Sequence, residues 1–393
     1  MPANSPLEQL LEVATPRRYL SLGIPAPRGD KRHCFTLTPE AVGILAASGI
    51  EIKMQAGAGQ AIHYTDARYA AAGARITDRQ TAFACDIVLH LPPVDLPDIR
   101  LMRRGALLLT LLNPTSFSPR AIEALVQRSV ISLALDLVAD REGHLPFADI
   151  LNEIYGNAAI TLAAGALADP GTGKGILLGN IPGIVPCEIA VFGASIAGQA
   201  AAKAALATGA TVRLFDDDTY ALREALRELP LPVIASVPSH RAVASALRTA
   251  DIIVLTTTLD NAAPQVDNMK QGAIIFDLND DERRVFPSLP TVDIATATGS
   301  IPHTLTDAEG NPTRTVFTNP GAAVPRSCAM AVSNAFVTMI RDILTCDGIN
   351  NAIKLNAGMQ RAVLTFLGQL TNSTLARRCA LRYIDIHILV QFS

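Results

Sequence analysis

Glycines at 193 and 198, with serine between them at 195, form the spacing in this chain best suited to chemistry. The residues run Glu188-Ile-Ala-Val-Phe-Gly193-Ala-Ser195-Ile196-Ala197-Gly198. An apolar strand enters this turn and a small-residue helix, Gln199–Leu206, leaves it. A second strand, Ala210–Phe215, then ends on Asp216, 18 residues beyond Gly198. That order offers a helix N-terminus to a dinucleotide pyrophosphate and an acid to its ribose. The first glycine permits the tight turn, and the last lets helix and strand pack closely. The middle position is Ser195, whose hydroxyl either donates to phosphate or crowds it. Asp216 is followed by Asp217 and Asp218 rather than by arginine. Acids there repel a 2′-phosphate, so the expected cofactor is NAD rather than NADP. Thr257, just past the apolar run Ile252–Leu255, joins the expected cofactor contacts.

The elements that must position this turn follow from the rest of the pattern. A chain of 393 residues holds about two domains. Strand-like pieces at Tyr19–Ile24, Glu51–Met54, Asp86–Leu91, Ala106–Leu112 and Val130–Leu135 alternate with helix-like ones. Thr38-Pro39 reads as an N-cap followed by a first-turn proline. Such alternation predicts a parallel sheet. The fold class expected is α/β, with two Rossmann-like parallel-sheet domains. The NAD-binding domain, 170–320, is inserted into a discontinuous substrate domain, 1–150 and 326–393. Long Ala-rich helices near 149–167 and 327–344 link the two.

Composition narrows the function classes. A net charge of −3 gives no electrostatic footprint for nucleic acid. No run approaches the ~18 apolar residues that read as a membrane span, and the first residues lack the pattern of a signal peptide. The six cysteines and seven histidines are scattered without metal-ligand spacing. No metal site is expected, and the location expected is cytoplasmic.

Further segments carry a resemblance. They are Gly23-Ile-Pro25, Leu37-Thr-Pro-Glu-Ala-Val42, Gln55-Ala-Gly-Ala-Gly59, Tyr69-Ala-Ala-Ala-Gly-Ala74, Gly175-Ile-Leu-Leu-Gly-Asn-Ile-Pro-Gly183, Val324-Pro-Arg-Ser327 and Ser333-Asn-Ala335. With the glycine turn, and in this order, they resemble alanine dehydrogenase and the related nucleotide domain of proton-translocating transhydrogenase. The tail, with Leu370–Ser373 and Arg382–Ile386, is similar to the C-terminal extension of some bacterial alanine dehydrogenases. The resemblance implies oxidation of L-alanine with NAD to pyruvate and ammonia, by a homo-oligomer, either a dimer or a hexamer.

The same resemblance exposes what has changed. The family's carboxylate-holding arginine falls at Cys34, its lysine at Pro92 and its histidine at Asn113. Its aspartate is kept as Asp281, and Asn319 matches an asparagine near the nicotinamide. Cysteine and proline cannot hold a carboxylate by charge, and asparagine donates a hydrogen bond without relaying a proton near neutral pH. Arg32 and His90 each lie two residues before a changed position, on the same face of an extended strand. They are candidates to take over the carboxylate and acid–base roles. The alternatives are a solvated loop arginine and a strand-end histidine. At the level of function, the alternatives to an altered dehydrogenase are a catalytically silent NAD-binding paralogue or partner subunit, and a relative of the transhydrogenase nucleotide domain.

Overall fold

The structure is a computed structural model describing residues 20–28, 34–112, 117–230, 232–259, 266–279, 284–297, 303–346 and 349–391. The first six strands are β1 (Ser21–Ile24), β2 (Glu51–Gln55), β3 (Arg75–Thr77), β4 (Ile87–Leu89), β5 (Leu107–Thr110) and β6 (Ile131–Ala134). The middle of the chain supplies β7 (Glu188–Phe192), β8 (Thr211–Phe215), β9 (Ile234–Ser236), β10 (Ile252–Leu255), β11 (Ile274–Asp277), β12 (Thr291–Asp293) and β13 (Thr315–Thr318). The last pair is β14 (Val363–Phe366) and β15 (Gln369–Leu370).

Two sheets result. The first has the order β15-β14-β6-β5-β4-β1-β2-β3, and the second β12-β13-β11-β10-β7-β8-β9. From β6 onward the first sheet follows the doubly wound order 3-2-1-4-5-6, and from β11 onward the second follows its first five places, 3-2-1-4-5. The order therefore reverses twice in the molecule, beside β1/β4 and beside β7/β10. The central strands β4, β5 and β10 are buried along their whole length, as parallel strands covered on both faces must be.

The first sheet departs from the all-parallel expectation at one edge. β14 runs antiparallel to β6, and β15 antiparallel to β14. The two are joined through Leu367 and Gly368, both at positive φ (48° and 72°). Such a two-residue connection makes a hairpin, whereas a parallel neighbour needs a crossover of a dozen or more residues.

Helix α1, Pro146–Ala168, starts a turn earlier than the Ala-rich pattern suggests because Pro146 suits the first helical turn. Its early residues Phe147 and Leu151 lie in the core of the first sheet, with Leu22, Ile24 and Phe336. Its later residues Ala159, Ile160, Ala163 and Leu167 lie in the core of the second, with Val191 and Phe276. One helix thus belongs to two hydrophobic cores. Where it crosses helix α2, Ile196–Ala207, a β-carbon on Gly156 would fall 2.2 Å from the Ala197 carbonyl oxygen. Helix α3, Pro325–Thr345, returns the chain to the first core through Cys328, Ala329, Val332 and Phe336.

Candidate functional site

The turn after β7 sits at the reversal point of the second sheet, where open α/β sheets bind ligands. Gly193 has φ +104°, and a β-carbon there would meet Thr256 Oγ1 at 2.2 Å. A β-carbon on Gly198 would lie 1.9 Å from the Gly193 carbonyl oxygen. Neither position accepts a larger residue, so the spacing is dictated by close backbone packing. Thr256 Oγ1 in turn donates toward the Phe192 and Gly193 carbonyls, both at 3.2 Å.

Ser195 is the N-cap of α2. Its Oγ accepts a hydrogen bond from the Gly198 N–H at 3.3 Å. The hydroxyl thus satisfies one orphan donor of the helix and keeps its own proton to donate. Ser195 and Ile196 are exposed, while Ala197 is buried. Asp216 is half-buried and closes the turn, with Oδ2 accepting from Ala194 N–H at 2.6 Å and Oδ1 from Asp218 N–H at 2.8 Å. Thr257 is half-buried just past β10. Asn319 is left-handed (φ 56°), and its Nδ2 donates to Asp293 Oδ1 at 2.8 Å.

Asp277 and Asn279 end β11 on the same carboxyl edge. Burial pushes the Asp277 carboxyl pKa up, against a 3.1 Å hydrogen bond from the Asn279 N–H. Asn279 Nδ2 is buried without a hydrogen-bond partner. Asp281 lies outside the described residues, as do Arg32 and Asn113.

The first sheet's reversal point carries charged side chains. Asp98, 1% exposed, receives Arg79 Nε and Nη2 at 2.8 and 2.5 Å and Arg28 Nε and Nη2 at 2.9 and 2.6 Å. Arg79 Nη1 also donates to the Ala26 carbonyl (2.7 Å) and Gln55 Oε1 (3.2 Å). Burial by itself would raise the Asp98 pKa. The two arginines outweigh it and hold the carboxyl far below the usual carboxylate range. Sequence reasoning does not single out Arg28, Arg79 or Asp98. Their signal is faint: charged residues placed shortly after strand ends, far apart in the chain.

His90 directly follows β4, with its N–H donating to the Leu109 carbonyl at 2.9 Å, and at 4% exposed it is a buried strand-end histidine. Its ring lies 5.7 Å from that of Phe83, over which Arg79 also sits. Nδ1 contacts the Pro92 carbonyl at 2.8 Å, so Nδ1 carries the proton and donates. Nε2 is then a buried lone pair, without a partner among the described residues. Burial lowers the His90 pKa and keeps the ring neutral, although the Pro92 hydrogen bond opposes this. Cys34 and Pro92 are half-buried.

Among the described residues, one trio of metal-capable side chains converges, Asp140, Glu142 and His144, all exposed on the loop before α1. No helix among the described residues is long and apolar enough to cross a membrane.

Two doubly wound sheets, a glycine turn at one reversal point and a charged clasp at the other define a two-domain α/β protein of the Rossmann type. Residues 23–154 match the alanine dehydrogenase/PNT N-terminal domain, and residues 159–373 match the C-terminal domain of the same family. The chain belongs to the alanine dehydrogenase/PNT family. It is 28% identical to an alanine dehydrogenase of Mycolicibacterium smegmatis over 376 residues, covering 93% of this chain and 98% of that protein. It is 25% identical to the alanine dehydrogenase of Geobacillus stearothermophilus over 379 residues, covering 94% and 100%. Among solved structures, an L-alanine dehydrogenase superposes with a TM-score of 0.79 at 20% identity, covering 94% of this chain and all of that one. A transhydrogenase from Sinorhizobium meliloti gives 0.69 at 19% identity, covering 90% and 99%.

Proposed function

We propose that this chain is an NAD-dependent oxidoreductase of the alanine dehydrogenase type, interconverting L-alanine, NAD+ and water with pyruvate, ammonia and NADH. The observation that carries the reading is the glycine turn at the second reversal point, closed by Asp216, in a chain related to alanine dehydrogenases over nearly its full length. The residues fit the cofactor. The Gly193–Gly198 backbone and the α2 N-terminus offer N–H donors to a pyrophosphate, and Ser195 keeps a hydroxyl proton to add to them. Asp216 is already oriented by two backbone N–H groups, ready to accept from ribose hydroxyls. Thr257 and Asn319 are assigned to the nicotinamide side.

Bound NAD would supply the hydride acceptor. Everything else falls to the chain's own side chains. Asp281 is assigned to the nitrogen chemistry, while Cys34, Pro92 and Asn113 leave the family's carboxylate and proton-transfer positions without charge. That loss favours a second reading, a catalytically silent NAD-binding paralogue, or a partner subunit for an active homologue. In the dehydrogenase reading the assembly expected is a homo-oligomer.

The test is a titration with NADH followed by assays in both directions, L-alanine with NAD+ and pyruvate with ammonium and NADH. The dehydrogenase reading expects alanine-dependent NADH formation that Asp281→Asn abolishes. NADH binding without turnover of any small amino or 2-oxo acid would decide for the silent paralogue.

A further inference from the structure

We propose that Arg28 is the cation that receives the substrate carboxylate, and that Asp98 positions it; the proposal rests on the dehydrogenase reading above. Arg28 follows β1 and Asp98 follows β4, the two strands between which the order of the first sheet reverses. Their ion pair therefore bridges the crevice at which an open α/β sheet takes its ligand. Arg28 stands four residues after Ile24 and six before Cys34, the position at which the resemblance puts the family's arginine.

The two arginines of the clasp are not equivalent. Arg79 spends Nε and Nη2 on Asp98 and Nη1 on the Ala26 carbonyl and Gln55, and its side chain is 20% exposed. Arg28 spends only its Nε–Nη2 edge on Asp98. Its Nη1 carries no hydrogen bond among the described residues, and its side chain is 49% exposed. A guanidinium has five N–H donors in a rigid fork, so fixing one edge aims the other. An arginine pinned in this way loses little rotamer freedom on binding an anion.

Charge points the same way. Two guanidinium groups face a single buried carboxylate. The next acid, Asp95, comes no closer than 4.0 Å to Arg28 Nε and is itself 66% exposed. Asp95 balances the second guanidinium only across this longer, solvent-exposed contact, which leaves the outward edge of Arg28 open to an anion. The geometry suits one carboxylate, held through the outward edge, of the kind carried by a small amino or 2-oxo acid.

The experiment measures the KM for pyruvate with ammonium and NADH, the dissociation constant of NADH, and the rise in melting temperature that pyruvate produces. Arg28→Met should raise the KM by about 10- to 100-fold, the worth of a hydrogen bond to a charged group, with NADH affinity unchanged. It should also remove the pyruvate-induced rise. Arg28→Lys keeps the charge but loses the fork, and should raise the KM by a smaller factor; it decides the matter if Arg28→Met does not fold. Asp98→Asn should raise the KM more than it lowers kcat. Turnover with an unaltered KM in Arg28→Met, or in Arg28→Lys where only that variant folds, overturns the anchor and leaves the dehydrogenase reading intact. A pyruvate-induced rise without turnover, lost in Arg28→Met, upholds the anchor and overturns the dehydrogenase reading. Neither turnover nor a rise overturns both.

Discussion

At the β7/β10 reversal point the contacts are made by backbone, while at the β1/β4 reversal point they are made by long charged side chains. The strand order is the same in both places. In the second sheet the chain turns through Gly193 and Gly198 with less than a β-carbon of spare room, and Asp216 accepts directly from the Ala194 N–H. In the first sheet Pro25, Ala26 and Pro27 lead to Arg28, and the crevice is closed by ion pairs to Asp98. A backbone-built site tolerates no change of residue at its glycines but survives drift around them. A side-chain site can be rebuilt from new positions, as the proposed anchor at Arg28 requires.

The sharpest way to break this contrast is Asp98→Ala. It leaves the mostly buried Arg79 without its carboxylate, and removing one partner of such a pair costs about 3–5 kcal/mol. Urea unfolding should show the midpoint falling accordingly; a change within experimental error would mean that the clasp is ornamental. Next comes Gly198→Ala, whose β-carbon meets the Gly193 carbonyl. Overpacking of this kind costs about 1–3 kcal/mol, and NADH titration should show binding lost with it.

Acid acts on the first sheet's end in two steps. Folded His90 stays neutral where the unfolded imidazole, titrating near pH 6.5, takes up a proton. The unfolded state then binds more protons, so stability falls as pH drops below about 6.5. Asp98 acts lower down. Its folded pKa is depressed, so its contribution is complete above about pH 4 and is lost as pH falls further. Midpoints measured across this range should show both windows, and His90→Phe should flatten the upper one alone. The smallest effect belongs to Ser195→Gly. Glycine is a tolerable N-cap, so stability should change by only a few tenths of a kcal/mol. A large fall in NADH affinity would then belong to the hydroxyl proton rather than to the cap.

How much of this was legible in the sequence follows from the same contrast. The glycine turn was readable because its constraint is local: strand, turn, helix and acid lie within thirty residues. The two-sheet architecture was readable because apolar runs alternate with helical stretches at regular intervals. The clasp was not, since Arg28, Arg79 and Asp98 meet only after β4, β1, β2 and β3 are laid side by side. His90 could be singled out, but not its orphaned Nε2, because burial depends on Phe83 from another element. The hairpin at Leu367-Gly368 escaped notice because leucine is an unusual residue at positive φ.

That hairpin also orders events in time. Ser132 on β6 is bound by Thr365 on β14 through Oγ–Oγ and N–H contacts of 2.6 and 3.1 Å, and Thr365 donates to the Val130 carbonyl at 2.8 Å. More than two hundred residues separate the partners. During synthesis the β6 edge therefore stands open while the whole second sheet is made. Until residue 366 arrives, that edge is a free template for pairing with another chain. A chain cut before residue 363 would therefore keep the whole second sheet and carry an open, adhesive edge on the first.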